Sequence, residues 1–454
     1  MAYQTTNPYT EQAGAPFAEC TAEQLETRLA TAAACYGTWR STTFAQRKAV
    51  LLRAAALMRE RSEHLAGLIT EEMGKRIAES RGEVALSAAI IAYYAEHAEQ
   101  FLATEEIAVK GGEAIVESSP IGVLFGVEPW NFPYYQIVRF AAPNLMAGNV
   151  VMVKHASNVP QCALAYEQLM HDAGAPAGAY TNLFISKDQV AQVIDDLRIR
   201  GVALTGSEAA GAVVAARAAH NLKKTTMELG GSDAFIVLED ADLDLAIKHA
   251  TSGRMDNTGQ ACTASKRFIV VESMADQFLL RFRAALEQFK PGDPMDEATT
   301  MGPLSSESAL HTLLDQVERA RANGATVLLG GARLARSGYF MQPTILSDVA
   351  RSNPAYKEEF FGPVALFFRV KDEDAAVQLA NDSPFGLGGS VFTNDIERGK
   401  RVAGRIETGM VFINAALTSS PELPFGGIKN SGYGRELSAA GIQEFVNKKL
   451  IRVA

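Results

Sequence analysis

Three stretches of the chain carry residue types that do carbonyl chemistry when brought together. "NTGQACTASKR", Asn257 to Arg267, sets Cys262 among glycine and small polar residues rather than in an apolar strand. A thiol in such a loop has two readings. It is a buried, inert small hydrophobe, the commoner use of a lone cysteine, or an accessible nucleophile with a locally stabilised thiolate. "TTMELGGSDAFIVL" places Glu228 at the end of an apolar strand, 34 positions earlier (262 − 228). Desolvation there raises a carboxyl toward the range of a general base; a glutamate pointing outward from the strand edge has no such use. "VEPWNFPYY" holds Asn131 between two prolines that fix the local backbone. Its amide is either an oxyanion donor or the polar filling of a buried turn.

Competing chemistries lack their signatures. The chain has no G-x-G-x-x-G, no G-x-x-x-x-G-K-S/T, no HExxH and no CxxC, and "GGSDA" lacks the last glycine of a nucleophile elbow. "GVALTGSEAAG" runs from a strand through Gly206 and Ser207 into a helix. That is an anion site at a helix N-terminus or an ordinary strand–helix junction. Cys20, Cys35, Cys162 and Cys262 are scattered. They suit neither a disulfide framework nor a metal site, and they point to a reducing cytoplasm. A net charge of −9 with no basic block gives nucleic-acid binding little support. The opening "MAYQTTNPYTEQ" shows no signal-peptide pattern, and no run of about 18 apolar residues suggests a membrane span.

The elements that must position these residues read as α/β. With 454 residues, 47% of them apolar, two or three domains are expected of a soluble chain. Residues 21–104 read as mostly helical, opening on Thr21 with Glu23 and Gln24 behind it, and with helical spacing over 44–73 and 77–101. From 121 onward the apolar runs "IGVLFGV", "VVMVK", "GVALT" and "AFIVL" alternate with helical stretches such as 159–173 and 208–222. A second series follows, with "RFIVV", "ALFFRV", "GGSVF" and "MVFIN" around helices at 273–288 and near 372–382. Such alternation predicts parallel sheets. "AIVESSPIGVLF" and "NKKLIRVA" fit neither series, and pair with each other or with a partner subunit.

Taken together, the chain resembles the aldehyde dehydrogenase superfamily over nearly its whole length. The matching stretches, in order, are "PWNFP" (129–133), "AGNVVMVKHAS" (147–157), "LTGS" (204–207), "MELGGSDAFIV" (227–237), "GQACTASKR" (259–267), "EEFFGPV" (358–364) and "LPFGGIKNSGYGRE" (423–436). The resemblance implies a variant Rossmann cofactor domain (1–110 and 124–229), a second α/β catalytic domain (230–422) and a small β oligomerisation element (111–123 and 423–454). It makes Cys262 the nucleophile, Asn131 with the Cys262 N–H the oxyanion hole, and Glu228 the base that releases a free acid by hydrolysis. Trp130, Lys154, Gly206, Ser207, Glu359 and Phe361 fall at cofactor positions. Ser157 stands where NAD-preferring members often have glutamate, so with Lys154 and Lys187 nearby NADP is expected to be preferred and NAD a weaker alternative.

Within the superfamily the chain looks closest to the succinate-semialdehyde dehydrogenases. Arg139, eight residues past Asn131 (139 − 131), falls on the helix lining the family's aldehyde pocket. There its planar fork meets a substrate carboxylate, or it pairs with an acid of the protein. Ser419 or Ser420, with Ser419 favoured, would lie near that carboxylate, and Tyr135 would close the pocket. The expected reaction is oxidation of succinate semialdehyde to succinate. Glutarate semialdehyde, a neutral aldehyde, or a non-catalytic crystallin-like binding role are the alternatives. A homodimer or homotetramer is the family's usual assembly. Ala264 stands where some members carry a second cysteine, which excludes a local disulfide with Cys262.

Overall fold

The computed structural model describes residues 3–454. A helical layer comes first: Ala22–Trp39, Phe44–Glu60, Ser62–Met73 and Ile77–Phe101. Thr21 caps the first helix through a capping box with Gln24. The stretch 44–73 is two helices rather than one, broken at Arg61, whose ψ of 17° leaves helical geometry. Among the described residues no helix is long and apolar enough to cross a membrane.

A six-stranded sheet packs against this layer, in the order Gly432–Tyr433, Lys224–Glu228, Ile199–Thr205, Val123–Glu128, Val150–His155, Tyr180–Asn182. All neighbours are parallel except the first pair. The strand runs are buried on both faces, as parallel sheets covered by helices require. Register brings Thr205 opposite Glu228 and Glu128 opposite His155. Glu128, Lys154, Thr205 and Glu228 therefore all stand at the carboxyl end of this sheet, where α/β proteins place ligands.

The second sheet has seven strands, ordered Thr326–Leu329, Thr344–Ser347, Val364–Val370, Ser265–Val271, Asp233–Val237, Gly389–Phe392, Phe412–Ile413. Here the amino ends matter: Cys262 lies just before Ser265–Val271, and Glu359 just before Val364–Val370. One sheet thus offers its carboxyl end and the other its amino end to the same space.

"AIVESSPIGVLF" and "NKKLIRVA" find each other. Glu113–Pro120 pairs antiparallel with Val446–Val453, and Glu105–Glu106 completes a three-stranded sheet. The stretch 423–454 is not wholly part of it. Ile428–Lys429 pairs with Phe385–Gly386, and Gly432–Tyr433 joins the six-stranded sheet. Phe425, Leu437, Ile442 and Phe445 explain this division, because all four are buried in the core under that sheet.

Candidate active site

The loop before Ser265–Val271 is strained. Asn257, Thr258 and Gly259 follow one another at φ 49°, 54° and 78°, and a β-branched threonine is rarely found there. The surroundings hold it. Asn257 Nδ2 donates to Asn131 O (2.9 Å) and Gln260 O (3.2 Å), Thr258 Oγ1 donates to Gly302 O (3.1 Å), and Arg254 Nη2 donates to Gly259 O (2.7 Å). The turn delivers Cys262 to a cavity of about 380 Å³ lined by Asn131, Gln136, Thr205, Gly206, Ser207, Glu228 and Glu359, with Trp130 and Phe361 among the remaining walls.

Cys262 keeps partial exposure, yet its sulfur is enclosed by protein, and burial pushes the thiol up to about 12 against the opposing pull of Arg139 and Lys266. Glu228 is buried, and neither carboxylate oxygen has a hydrogen-bond partner among the described residues. Burial first, and Glu436 second, raise its pKa well above the usual carboxylate range. An unpartnered carboxyl facing a cavity is placed to exchange a proton with whatever enters.

Asn131 is fixed from three sides. Its carbonyl accepts from Lys75 Nζ (2.8 Å) and Asn257, its Oδ1 accepts from Gln136 Nε2 (3.4 Å), and its Nδ2 donates to Gln260 O (3.1 Å). An amide nitrogen carries two hydrogens, so one remains for a ligand atom. Lys75 itself is fully buried, ion-paired with Glu83 and 3.6 Å from the centre of the Phe132 ring. Glu83 Oε1 accepts from the N–H groups of Tyr134 (2.8 Å) and Tyr135 (3.3 Å), capping the N-terminus of helix Pro133–Ala147. One buried ion pair therefore ties Asn131 to the helix carrying Tyr135, Gln136 and Arg139.

Gly230 and Gly231 permit the close approach of the remaining parts. A Cβ on Gly230 would lie 2.5 Å from Glu359 Oε2, and one on Gly231 would lie 2.6 Å from Cys262 O. Glu359 accepts from Gly231 N (3.0 Å) and pairs with Lys266 (3.1 Å). Trp130 and Phe361 meet edge to face, with centroids 5.8 Å apart. Ser207 caps helix Glu208–His220, accepting from Ala210 N (3.4 Å).

Arg139 requires a correction. The sequence leaves it either facing a substrate carboxylate or paired with a protein acid, and the structure takes the second course. Its guanidinium is buried, ion-paired with Glu436, and donates to Tyr135 Oη and Thr205 Oγ1 (3.2 Å each). It lies over the rings of Phe425 (4.3 Å) and Tyr135 (4.9 Å). A buried guanidinium without a carboxylate is costly, and Glu436 supplies one from within the chain. Tyr135, Arg139 and Ser419 are not among the residues lining this cavity. Tyr135 Oη meets Ser419 Oγ at 2.8 Å, whereas Ser420 turns to Glu422.

Lys154, Ser157 and Lys187 form a separate group beyond that cavity. Burial and then the charge of Lys187 lower the pKa of Lys154, whose Nζ lies 5.6 Å from the centre of the Tyr3 ring. Lys187 is exposed at the first position of helix Lys187–Asp195, and the Ser157 carbonyl accepts from Gln4 N (2.9 Å). Sequence reasoning did not find Lys75, Glu83, Gln260, Lys266 or Glu436.

A cysteine-bearing loop, an enclosed carboxyl and a fixed amide around one cavity, between a mostly parallel six-stranded sheet and a second α/β sheet, define a class, and comparison agrees with it. The sequence pattern of the Aldehyde dehydrogenase family matches residues 1–451, and the chain belongs to that family. It is 52% identical over 450 residues to a succinate-semialdehyde dehydrogenase (NADP(+)) of Deinococcus radiodurans, covering 99% of this chain and 94% of the relative. It is 46% identical over 426 residues to the succinate semialdehyde dehydrogenase (NAD(P)+) Sad of Escherichia coli, covering 94% and 92%. Among solved structures, succinic semialdehyde dehydrogenase from Streptococcus pyogenes in complex with NADP+ superposes with a TM-score of 0.98 at 47% identity, covering all of both chains.

Proposed function

We propose that this aldehyde dehydrogenase oxidises succinate semialdehyde to succinate with NADP as the preferred acceptor. The observation that carries the reading is the convergence of Cys262, Glu228 and Asn131 on one cavity. Its position between Ser207, at the start of a 13-residue helix, and Glu359 fits a dinucleotide. Beyond it, the cations Lys154 and Lys187 beside Ser157 suit a 2′-phosphate and carry no acid at position 157 to repel one. When bound, the oxidised nicotinamide supplies the hydride acceptor.

The Cys262 thiolate adds to the aldehyde carbon, and the carbonyl oxygen becomes an alkoxide. Asn131 Nδ2 and the Cys262 N–H receive that charge where it develops. Loss of hydride from the same carbon leaves a thioester on Cys262. Glu228 takes a proton from an attacking water, the thioester C–S bond breaks, and succinate and the free thiol result. The Tyr135–Ser419 hydroxyl pair, backed by Arg139, receives the distal carboxylate. Relatives named for succinate semialdehyde support this choice.

The division of labour follows the two large sheets, with 1–110 and 124–229 binding cofactor, 230–422 carrying the chemistry, and Glu113–Pro120 with Val446–Val453 serving assembly. In the three-stranded sheet Val446–Val453 is an edge strand with Leu450 and Val453 exposed, and an edge of this kind invites pairing with a second copy. A homodimer or homotetramer is the resulting expectation. Four free thiols suit a reducing cytoplasm. The test is turnover of succinate semialdehyde by the purified protein with NADP and with NAD, wild type beside Cys262→Ala. NADP should support the faster reaction and Cys262→Ala should abolish it. Hydride transfer surviving in Cys262→Ala overturns the mechanism, and faster turnover with NAD overturns the cofactor assignment.

A further inference from the structure

Lys266, the second residue of strand Ser265–Val271, is buried directly beneath the nucleophile loop. Its ammonium donates to three carbonyls of that loop: Cys262 O at 2.8 Å, Ala261 O at 3.1 Å and Ala264 O at 3.2 Å. Its fourth partner is Glu359 Oε1 at 3.1 Å. Three N–H bonds are thus shared among four acceptors. No peptide bond in the described chain is cis, and in a trans peptide the carbonyl and the following N–H point opposite ways. A cation that grips Ala261 O from below therefore turns the Cys262 N–H away from itself. Lys266 is not among the residues lining the cavity, whereas Cys262 is, so the turned N–H is the one on the cavity side.

We propose that Lys266 is a positioning residue that couples the carboxylate of Glu359 to the reactivity of Cys262, holding the loop carbonyls while dividing its charge between Glu359 and the thiol. This rests on the reading of Cys262 as the nucleophile. The charged groups acting on Cys262 are Arg139 and Lys266, which favour the thiolate, and Glu359 and Glu228, which oppose it. Those facing Lys266 are Glu359 and Asp233. Removing the cation and removing its carboxylate partner must therefore move the thiol in opposite directions. Glu359 also opposes the thiolate directly, so the lysine variant discriminates: loss of a purely structural lysine would loosen the loop and speed alkylation rather than slow it.

The experiment follows iodoacetamide alkylation of Cys262 in the cofactor-free full-length protein across pH. It is read on the Cys262 peptide by mass spectrometry so that Cys20, Cys35 and Cys162 do not interfere. Lys266→Met should slow alkylation at fixed pH by about tenfold or more, the equivalent of one pKa unit, and Lys266→Arg should restore most of the rate. Glu359→Gln should accelerate it several-fold, by roughly the effect of one nearby charge at partial burial. Equal rates in all variants, or a slowing in both Lys266→Met and Glu359→Gln, overturn the proposal. If Lys266→Met does not fold, Lys266→Gln takes its place: an unchanged or faster rate refutes the coupling. Wild-type protein that keeps full dehydrogenase activity after complete Cys262 alkylation would refute the nucleophile reading itself, and alkylation that inactivates wild type without shifting in the variants would refute only the role of Lys266.

Discussion

In the proposed reading, substrate choice turns on two hydroxyl groups 2.8 Å apart, Tyr135 Oη and Ser419 Oγ. Tyr135→Phe and Ser419→Ala each delete one donor with little change of volume. A hydrogen bond to a charged group contributes about 1.5–3 kcal/mol, so each variant should lose about 10- to 100-fold in kcat/KM on succinate semialdehyde. Butanal, of the same carbon count without the carboxylate, should lose at most about threefold. Tyr135→Phe also removes one acceptor from Arg139 Nη1, but that penalty falls on both substrates and cancels in the ratio of their kcat/KM values. Arg139→Ala is a poorer test, because it strands the buried Glu436 carboxyl and costs stability of about 3–5 kcal/mol whatever the substrate. The two hydroxyls would serve one carboxylate, so the double variant should lose less than the product of the single losses. Initial rates of NADPH formation at 340 nm measure all of this. Equal losses on both aldehydes would refute carboxylate recognition at this pair.

Glu228→Gln should leave the first burst of NADPH largely intact and slow steady-state turnover by about 10²- to 10⁴-fold; rapid-mixing traces with an unchanged steady state would remove Glu228 from the hydrolytic step. Because burial pushes Cys262 up to about 12 and raises Glu228 well above the usual carboxylate range, both reactive forms are the deprotonated ones and both grow as pH rises. The free-enzyme kcat/KM, governed by the Cys262 thiolate, and kcat, governed by Glu228 in the hydrolytic step, should therefore both climb from about pH 6 to about pH 9. A flat or falling profile in either would contradict the environment described for that group. Lys75→Met leaves Glu83 buried without its cation and should destabilise the protein by about 3–5 kcal/mol in urea unfolding, with Lys75→Met/Glu83→Gln recovering part of the loss. An unchanged midpoint would show that the pair does not hold Asn131.

The pattern of strands was legible because parallel strands covered by helices are continuous apolar runs, as in "VVMVK" and "AFIVL". Their order was not, since nothing local in Gly432–Tyr433 announces that it will lie against Lys224–Glu228. The site divides along the same line. Cys262, Glu228 and Asn131 stand in stretches whose local composition is odd for a core, and that oddness is visible in sequence. Arg139 shows the opposite limit. Helical spacing fixes the face on which a side chain projects, but it cannot say that Glu436 waits opposite.

The residues that went unseen share a chemical reason. Lys75, Glu83 and Lys266 are charged side chains of ordinary type in ordinary elements, and charge in sequence reads as solvent exposure. All three are buried, each spent on fixing backbone groups: Lys75 on Asn131 O, Glu83 on two helix N–H groups, Lys266 on three loop carbonyls. Buried ions of this kind contribute little net stability against apolar replacements, so stability alone does not account for them. What they secure is direction. In the proposed mechanism Asn131 Nδ2 and the Cys262 N–H point at one oxygen that gains charge only during the reaction, and donors held beforehand need no reorganisation when it does. The strained φ values of Asn257 and Thr258 belong to the same arrangement. Two of these ions, Lys75 and Glu83, reach their backbone partners only through tertiary structure, whereas Lys266 grips carbonyls of its own loop.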